Sequence, residues 1–260
     1  MRFTDMADEL FGGSDTLPAG VRLATAKRGG VTVTRVEIAR EGLARPRGRY
    51  VTLEMPSVSV LDERDTAVIE TCAAELRALL PTEGPVLVLG IGNRRITADA
   101  LGPRTAQKIL VTMGPQHTLP VKGIRPVASI APGVSASTGL TLRQLAGALV
   151  DTVRPAALIC VDSLCSNEGA RLGRSVQFSD TGLYPAQASH AKHLDAAALG
   201  VPVIAAGIPT LMDSDEGADL VVTPRALDSV IAHGSALLAG AINRALQPRL
   251  SVAQLCWLAG

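Results

Sequence analysis

Aromatic side chains are nearly absent: three Phe, two Tyr and one Trp stand among 260 residues. A core must therefore be filled by Val, Leu, Ile and Ala, and with 47% hydrophobic residues there is ample material for one. Cysteine is scarce too. Cys72, Cys160, Cys165 and Cys256 form no CxxC pair, so neither a disulfide framework nor a cysteine zinc site is expected. No secretory h-region and no uncharged apolar run of about 18 residues occurs, which excludes a membrane-spanning helix and points to a reducing cytoplasmic compartment. A formal net charge of +1 argues against nucleic acid or an anionic membrane as partner. Arg45, Arg47 and Arg49 cluster locally and read as a solvated loop.

What is present is alternation. "GVTVTRVEIA" and "GRYVTLEMPSV" read as paired strands joined by the charged loop "REGLARPRG". Residues 61–80 carry a helical pattern with Asp62 or Asp65 near its start. Then "PVLVLG" predicts a buried strand, "ALGPRTAQKILVTM" a helix and "RPVASIAPG" an extended segment. "TGLTLRQLAGALVDTV" predicts a helix with Thr138 as N-cap, and "PAALICVD", "RSVQFSD" and "VPVIAAGIP" are strands. A long closing helix is predicted over about Pro224 to Leu246, with the proline in its first turn. Strands separated by helices of this length imply a mostly parallel sheet covered on both faces. No repeat or linker is visible, so one domain over residues 1–260 is expected, with residues 1–60 as an N-terminal β appendage.

In such sheets, sites form beyond the carboxyl ends of the strands. Two acids fall there: Asp99, shortly after "VLVLG", and Asp162, at the end of "ALICVD". On neighbouring strands the two carboxylates would face each other. Both cannot ionise easily, which supplies one charged base for water and one protonated acid for a carbonyl oxygen or leaving amine. Spacing alone leaves a plainer alternative open, in which Asp99 caps a helix and Asp162 merely ends a strand.

Other signals are weaker. "GIGN" opens like a dinucleotide fingerprint, but Arg95 stands where the third glycine belongs. "SDTG", Ser179 to Gly182, copies the active-site tripeptide of all-β aspartic proteases, a fold this alternating chain cannot adopt, so a turn or cap role suits Asp180. His190 and His193 stand three apart in "SHAKH" without an HExxH, and read as a solvated helix face. There is no GxSxG elbow. Cys160 and Cys165 flank Asp162 and read as small apolar filling.

The order of motifs says more than any one of them. "FTDMADE", "GRYVTLE", "VLGIGNRRITADALGP", "IAPGVSASTGL", "ICVDSL", "VQFSDTGLYP", "LGVPVIAAGIPTLMD" and "VVTPRALDSVIAHGSALLAGAINRAL" follow one another from about Phe3 to Leu246. This series closely resembles the germination proteases (spore proteases) of endospore-forming bacteria. The resemblance implies an α/β three-layer sandwich with a mostly parallel central sheet, shared with hydrogenase-maturation endopeptidases, plus the N-terminal β appendage. It implies a cytoplasmic endopeptidase of the spore core or forespore that starts degradation of small acid-soluble spore proteins at germination. It also implies a tetrameric assembly, synthesis as a zymogen, and no metal or other cofactor. Carried over residue by residue, it makes Asp99 and Asp162 the catalytic pair, with Gly92, Asn93, Thr97, Asp180 and Thr181 supporting them or binding substrate.

The chain departs from the family pattern in three places. After "SDTGLYP" a glycine-rich stretch is replaced by "AQASHAKH"; a long insertion after "GIPTLMD" is reduced to "SDEGAD"; and few residues precede "FTDMADE". A removable propeptide is therefore expected to be absent or very short. Two alternative functions are expected to be distinguishable. A maturation-type endopeptidase would use the acids to read a metal held by its client, with a third ligand such as His190 or His193. A non-catalytic descendant would keep the fold and bind protein partners.

Overall fold

The computed structural model describes residues 4–12, 16–61, 65–114, 123–184, 193–213 and 220–259. The chain begins with a 3-10 turn at Asp8–Leu10 and then forms β1 (Val21–Arg28), β2 (Val31–Ile38) and β3 (Gly48–Glu54). Next come α1 (Thr66–Leu79), β4 (Val86–Gly90), a 3-10 turn at Thr97–Asp99, α2 (Leu101–Ala106) and β5 (Val127–Ile130). The short α3 (Ser135–Thr138) leads to α4 (Leu142–Val153), β6 (Ala157–Cys165) and β7 (Ser175–Ser179). The remainder is α5 (Ala196–Leu199), β8 (Val203–Asp213), β9 (Val221–Val222), α6 (Leu227–Leu246) and α7 (Val252–Ala259).

Among the described residues nine strands form one sheet, in the order β1-β2-β3-β7-β8-β6-β4-β5, with β9 paired to β8. The expected parallel core is the run β8-β6-β4-β5. The N-terminal strands continue the same sheet antiparallel, through β3 beside β7 and β7 beside β8. Two strands were missed, β1 and the two-residue β9. β1 is mostly exposed, so it carries no apolar alternation, and its place is set by the Gly29–Gly30 turn. Both glycines have positive φ (56° and 82°), the two-residue geometry that matches the twist of a hairpin.

Alternation along each strand sends side chains to two faces. On one, Val86, Val88, Ile159, Val161 and Phe178 pack beneath α1, α2 and α6. On the other, Leu87, Leu89, Leu158 and Cys160 meet Ala146 and Leu149 of α4 and Leu199 of α5. At the antiparallel end Val36, Ile38 and Tyr50 are covered by Ala7 and Phe11 of the N-terminal segment. The result is helices, sheet, helices.

Three helix boundaries differ from expectation. The segment expected as one helix through "QKILVTM" ends at Ala106. There Asn243 of α6 accepts the Leu110 N–H (2.9 Å) and donates to Lys108 O (3.0 Å), and the chain turns to run beside β5. Thr138 does not cap α4; it ends α3, Gly139 follows at φ +72°, and Thr141 is the cap, in a reciprocal box with Gln144. The closing helix starts at Leu227, leaving Pro224 before it.

Backbone approaches backbone where α2 crosses the sheet. A Cβ on Gly102 would lie 2.3 Å from the carbonyl oxygens of both Ile91 and Val161, so only glycine lets the helix sit on the ends of β4 and β6. Gly102→Ala is expected to lower stability by about 1–3 kcal/mol, measured by urea unfolding. An unchanged midpoint would show that the helix can lift away freely.

Candidate active site

Asp99 sits at the end of the 3-10 turn that follows β4. Gly92, at φ +121°, brings the chain under it: a Cβ there would lie 2.0 Å from Asp99 O. The Asn93 N–H donates to Asp99 Oδ2 at 2.7 Å, and Asn93 Oδ1 accepts the Arg95 N–H at 3.0 Å. Thr97 contributes its carbonyl, which accepts the Ala100 N–H at 3.1 Å. The turn is tied to β8 by Thr210 Oγ1, donating to Ala98 O at 3.0 Å. The helix-cap alternative for Asp99 falls here. The residue preceding α2 is Ala100, and no side chain caps that helix.

Asp162 lies near the carboxyl end of β6, the parallel neighbour of β4. Alternation puts its side chain on the α4 face, above Cys160, and its Oδ1 accepts the Ser163 N–H at 2.8 Å. Opposite it in β8 is Gly207, where a Cβ would lie 2.4 Å from Asp162 O and 2.7 Å from Leu164 Cγ. Asp162 lines a small cavity of about 50 Å³ together with Asp5, Arg45, Tyr50, Thr181 and Tyr184, enough space for ordered water among polar partners. On the other face of β6, Ser163 Oγ is buried and makes no hydrogen bond.

The groups around the cavity have defined charge states. Burial pushes the Tyr50 phenol up to about 12. Burial also raises Tyr184, helped by the hydrogen bond it donates to Asp195. Both phenols are therefore neutral donors at ordinary pH. Burial raises the Cys160 thiol, and the nearby Asp162 raises it further; Cys165 is pushed up to about 11, by burial and then by Asp5 and Asp213. Neither forms the thiolate that nucleophilic chemistry needs.

Comparison with known proteins now bears on these two acids. The family model described as "Germination protease" matches residues 13–216, more than half of the chain and a span that includes both Asp99 and Asp162. The chain is 31% identical to a germination protease of Clostridium perfringens, over 85% of this chain and 86% of that one. It belongs to the germination protease family. A germination protease of Clostridium acetobutylicum is 28% identical over 91% of each chain. Among solved structures, a nickel–iron hydrogenase maturation protease from Thermococcus kodakarensis aligns with a TM-score of 0.36 and 17% identity, over 65% of this chain and 98% of that one.

The remaining expected residues divide. Gly92, Asn93, Thr97 and Asp99 come together in one turn, and Thr181 joins Asp162 at the cavity, its hydroxyl donating to Ser179 Oγ at 3.3 Å. Asp180 neither caps a helix nor lines that cavity. Its carboxylate accepts the Arg49 N–H and Nε–H, both at 2.7 Å, and fastens the end of β7 to β3. His193 packs against Tyr184 with ring centroids 4.6 Å apart and planes tilted by 47°, while His190 lies outside the described residues. No group of three metal-ligating side chains occurs among the described residues.

Sequence reasoning missed two contributors. Arg45 is no solvated loop residue. Its side chain is only 10% exposed, and its guanidinium donates to Thr4 O, to Tyr184 O at 2.9 Å and to Asp5. Asp5 in turn accepts the Cys165 N–H at 2.8 Å, holding the N-terminal segment beside the end of β6. Asp5 was visible in "FTDMADE", but nothing local in the sequence joins it to Arg45 or to Cys165.

Proposed function

We propose that this chain is an endopeptidase that starts the degradation of small acid-soluble spore proteins during germination, with Asp99 and Asp162 as its acid–base pair. One observation carries the reading: Asp162 stands near the carboxyl end of β6 and Asp99 in the turn that follows its parallel neighbour β4, where it is not used as a helix cap. Such a rim is where parallel sheets place their chemistry.

In this mechanism one carboxylate is ionised and takes a proton from water as its oxygen attacks the scissile carbonyl carbon. The other, in its protonated form, donates to the carbonyl oxygen. Collapse of the tetrahedral intermediate breaks the C–N bond, and the proton gained by the first acid passes to the leaving amine. The Asn93 N–H on Asp99 Oδ2 and the Ser163 N–H on Asp162 Oδ1 each hold a carboxylate in one orientation.

The proposed compartment is the spore core. No helix among the described residues is long and apolar enough to cross a membrane. Assembly into a homo-oligomer, as the family resemblance implies, belongs to the same proposal.

The test is incubation of the purified protein with small acid-soluble spore protein, fragments being identified by mass spectrometry, before and after exhaustive chelation. Discrete internal cuts, unchanged by chelation, are expected. An uncut substrate would overturn the assignment, and cleavage that stops on chelation would replace the aspartate pair with a metal mechanism.

A further inference from the structure

Tryptophan occurs once in the chain, at position 257, and there it is 82% exposed. A side chain of that size is normally buried over most of its surface. It stands on α7, whose residues are apolar apart from Gln254. Val252 and Leu255 are buried where α7 packs on α6, while Trp257 and Leu258 are exposed. A helix that is apolar all round belongs in an interior. Beside it lies a cavity of about 500 Å³ between α6 and α7, lined by Ile69, Ala236, Gly240, Val252, Leu255 and Cys256 among others. No carboxylate lines it, and Lys108 stands at the end marked by Asn243.

We infer that this face joins two copies of the chain about a two-fold axis, the Trp257 of each entering the cavity of the other. The inference gives a surface to the homo-oligomer proposed above and does not depend on the chemistry of the acids. A second copy is the fitting occupant because a two-fold contact is its own complement. This patch carries projection and socket side by side, Trp257 next to Cys256 of the lining. The charges agree. Ala236 has Asp228 eight residues before it on α6 and Asn243 seven after it, and Asn243 donates to Lys108 O at 3.0 Å. A two-fold axis at Ala236 runs the two copies of α6 antiparallel. Asp228, about 12 Å from the axis, then comes opposite the Lys108 end of the other copy, about 10 Å from it. Asp228 and Lys108 are both exposed. Size agrees as well. Two indoles, two Leu258 side chains and two sets of socket walls bury on the order of 1,000 Å², the area at which a specific interface begins.

Sedimentation and intrinsic fluorescence test this without turnover, because the single tryptophan reports on its own contact. At micromolar concentration the wild type is expected to sediment above the mass of one chain with blue-shifted emission, which moves to that of an exposed indole on dilution. Trp257→Ala should halve the sedimenting mass and weaken association about 30-fold or more, as for a central aromatic contact. Ala236→Arg, which fills the socket from an exposed position, should do the same. Asp228→Lys and Lys108→Asp should each weaken association about ten-fold, and the two together should restore most of it. A wild type that stays at the mass of one chain overturns the interface, as does an assembly that survives Trp257→Ala. A charge-swapped pair no better than its single changes overturns it too. So does a small apolar molecule found on each chain by native mass spectrometry, since the cavity would then hold that molecule and not the indole. An assembled protein that leaves spore protein uncut sinks the endopeptidase reading alone; a single chain that cuts sinks the interface alone.

Discussion

Asp99→Asn and Asp162→Asn are each expected to slow cleavage by a factor on the order of 10² to 10⁴ while leaving the unfolding transition at its wild-type midpoint. The two effects separate because the amide keeps the structural contact and loses the chemical one. An asparagine oxygen still accepts the Asn93 N–H at position 99 and the Ser163 N–H at position 162. It can neither take a proton from water nor donate one to the carbonyl oxygen. Turnover of a single spore-protein substrate, paired with urea unfolding of each variant, decides the matter. Wild-type turnover in either variant would falsify the pair. Cys165→Ala serves as the contrast and should retain activity, because a thiol pushed up to about 11 carries almost no thiolate at neutral pH. Complete loss there would bring thiol chemistry back.

The second large effect concerns stability. Arg171→Ala is expected to cost about 3–5 kcal/mol, the range for removing one partner from a buried charge cluster. The Arg171 guanidinium meets Asp8 at 2.5 Å, Glu168 and Glu54 at 3.0 Å, and Glu9 at 3.7 Å. The side chains of Asp8 and Glu9 are 5% and 0% exposed, so water cannot replace the lost cation. Thr52 Oγ1 donates to Asp8 at 2.8 Å and the Asn167 N–H donates to Glu9 at 2.9 Å. These bonds soften the loss without supplying charge. The same cluster anchors the 3-10 turn at Asp8–Leu10, three residues from Asp5 at the cavity. Loosening it should release the N-terminal segment as well. Urea unfolding gives the cost directly, and Arg171→Lys, which keeps the charge and loses the planar fork, should fall between. An alanine variant as stable as the wild type would show that the acids simply protonate or reach solvent.

Local pattern by itself determined where the chain is strand and where it is helix in the parallel half. Runs such as "VLVLG" and "ALICVD" are apolar on both sides because helices cover both faces of β4 and β6, so their burial is written in composition. The placement of Asp162 near the end of β6 was legible for the same reason: a polar residue closing an apolar run marks the rim of the sheet, whereas Asp99 lies further on, in the 3-10 turn after β4. Tertiary structure decided what lies between. β1 is too exposed to show a pattern, and its pairing with β2 follows from two glycines. The short length of α2 is set by Asn243 from α6, and the capping of α4 by Thr141 follows the break at Gly139. Whether Asp99 capped a helix was open in the sequence and closed only by the 3-10 turn, which makes Ala100 the residue preceding α2. Arg45, Asp5 and Arg171 were invisible as partners. Their hydrogen bonds and ion pairs join segments far apart in the chain, and an arginine beside a loop proline reads the same in sequence whether it reaches water or a buried carboxylate. Propensity and periodicity act over a few residues and can be read from the letters. The pairing of buried charge depends on which strands become neighbours, and that is settled only when the sheet closes.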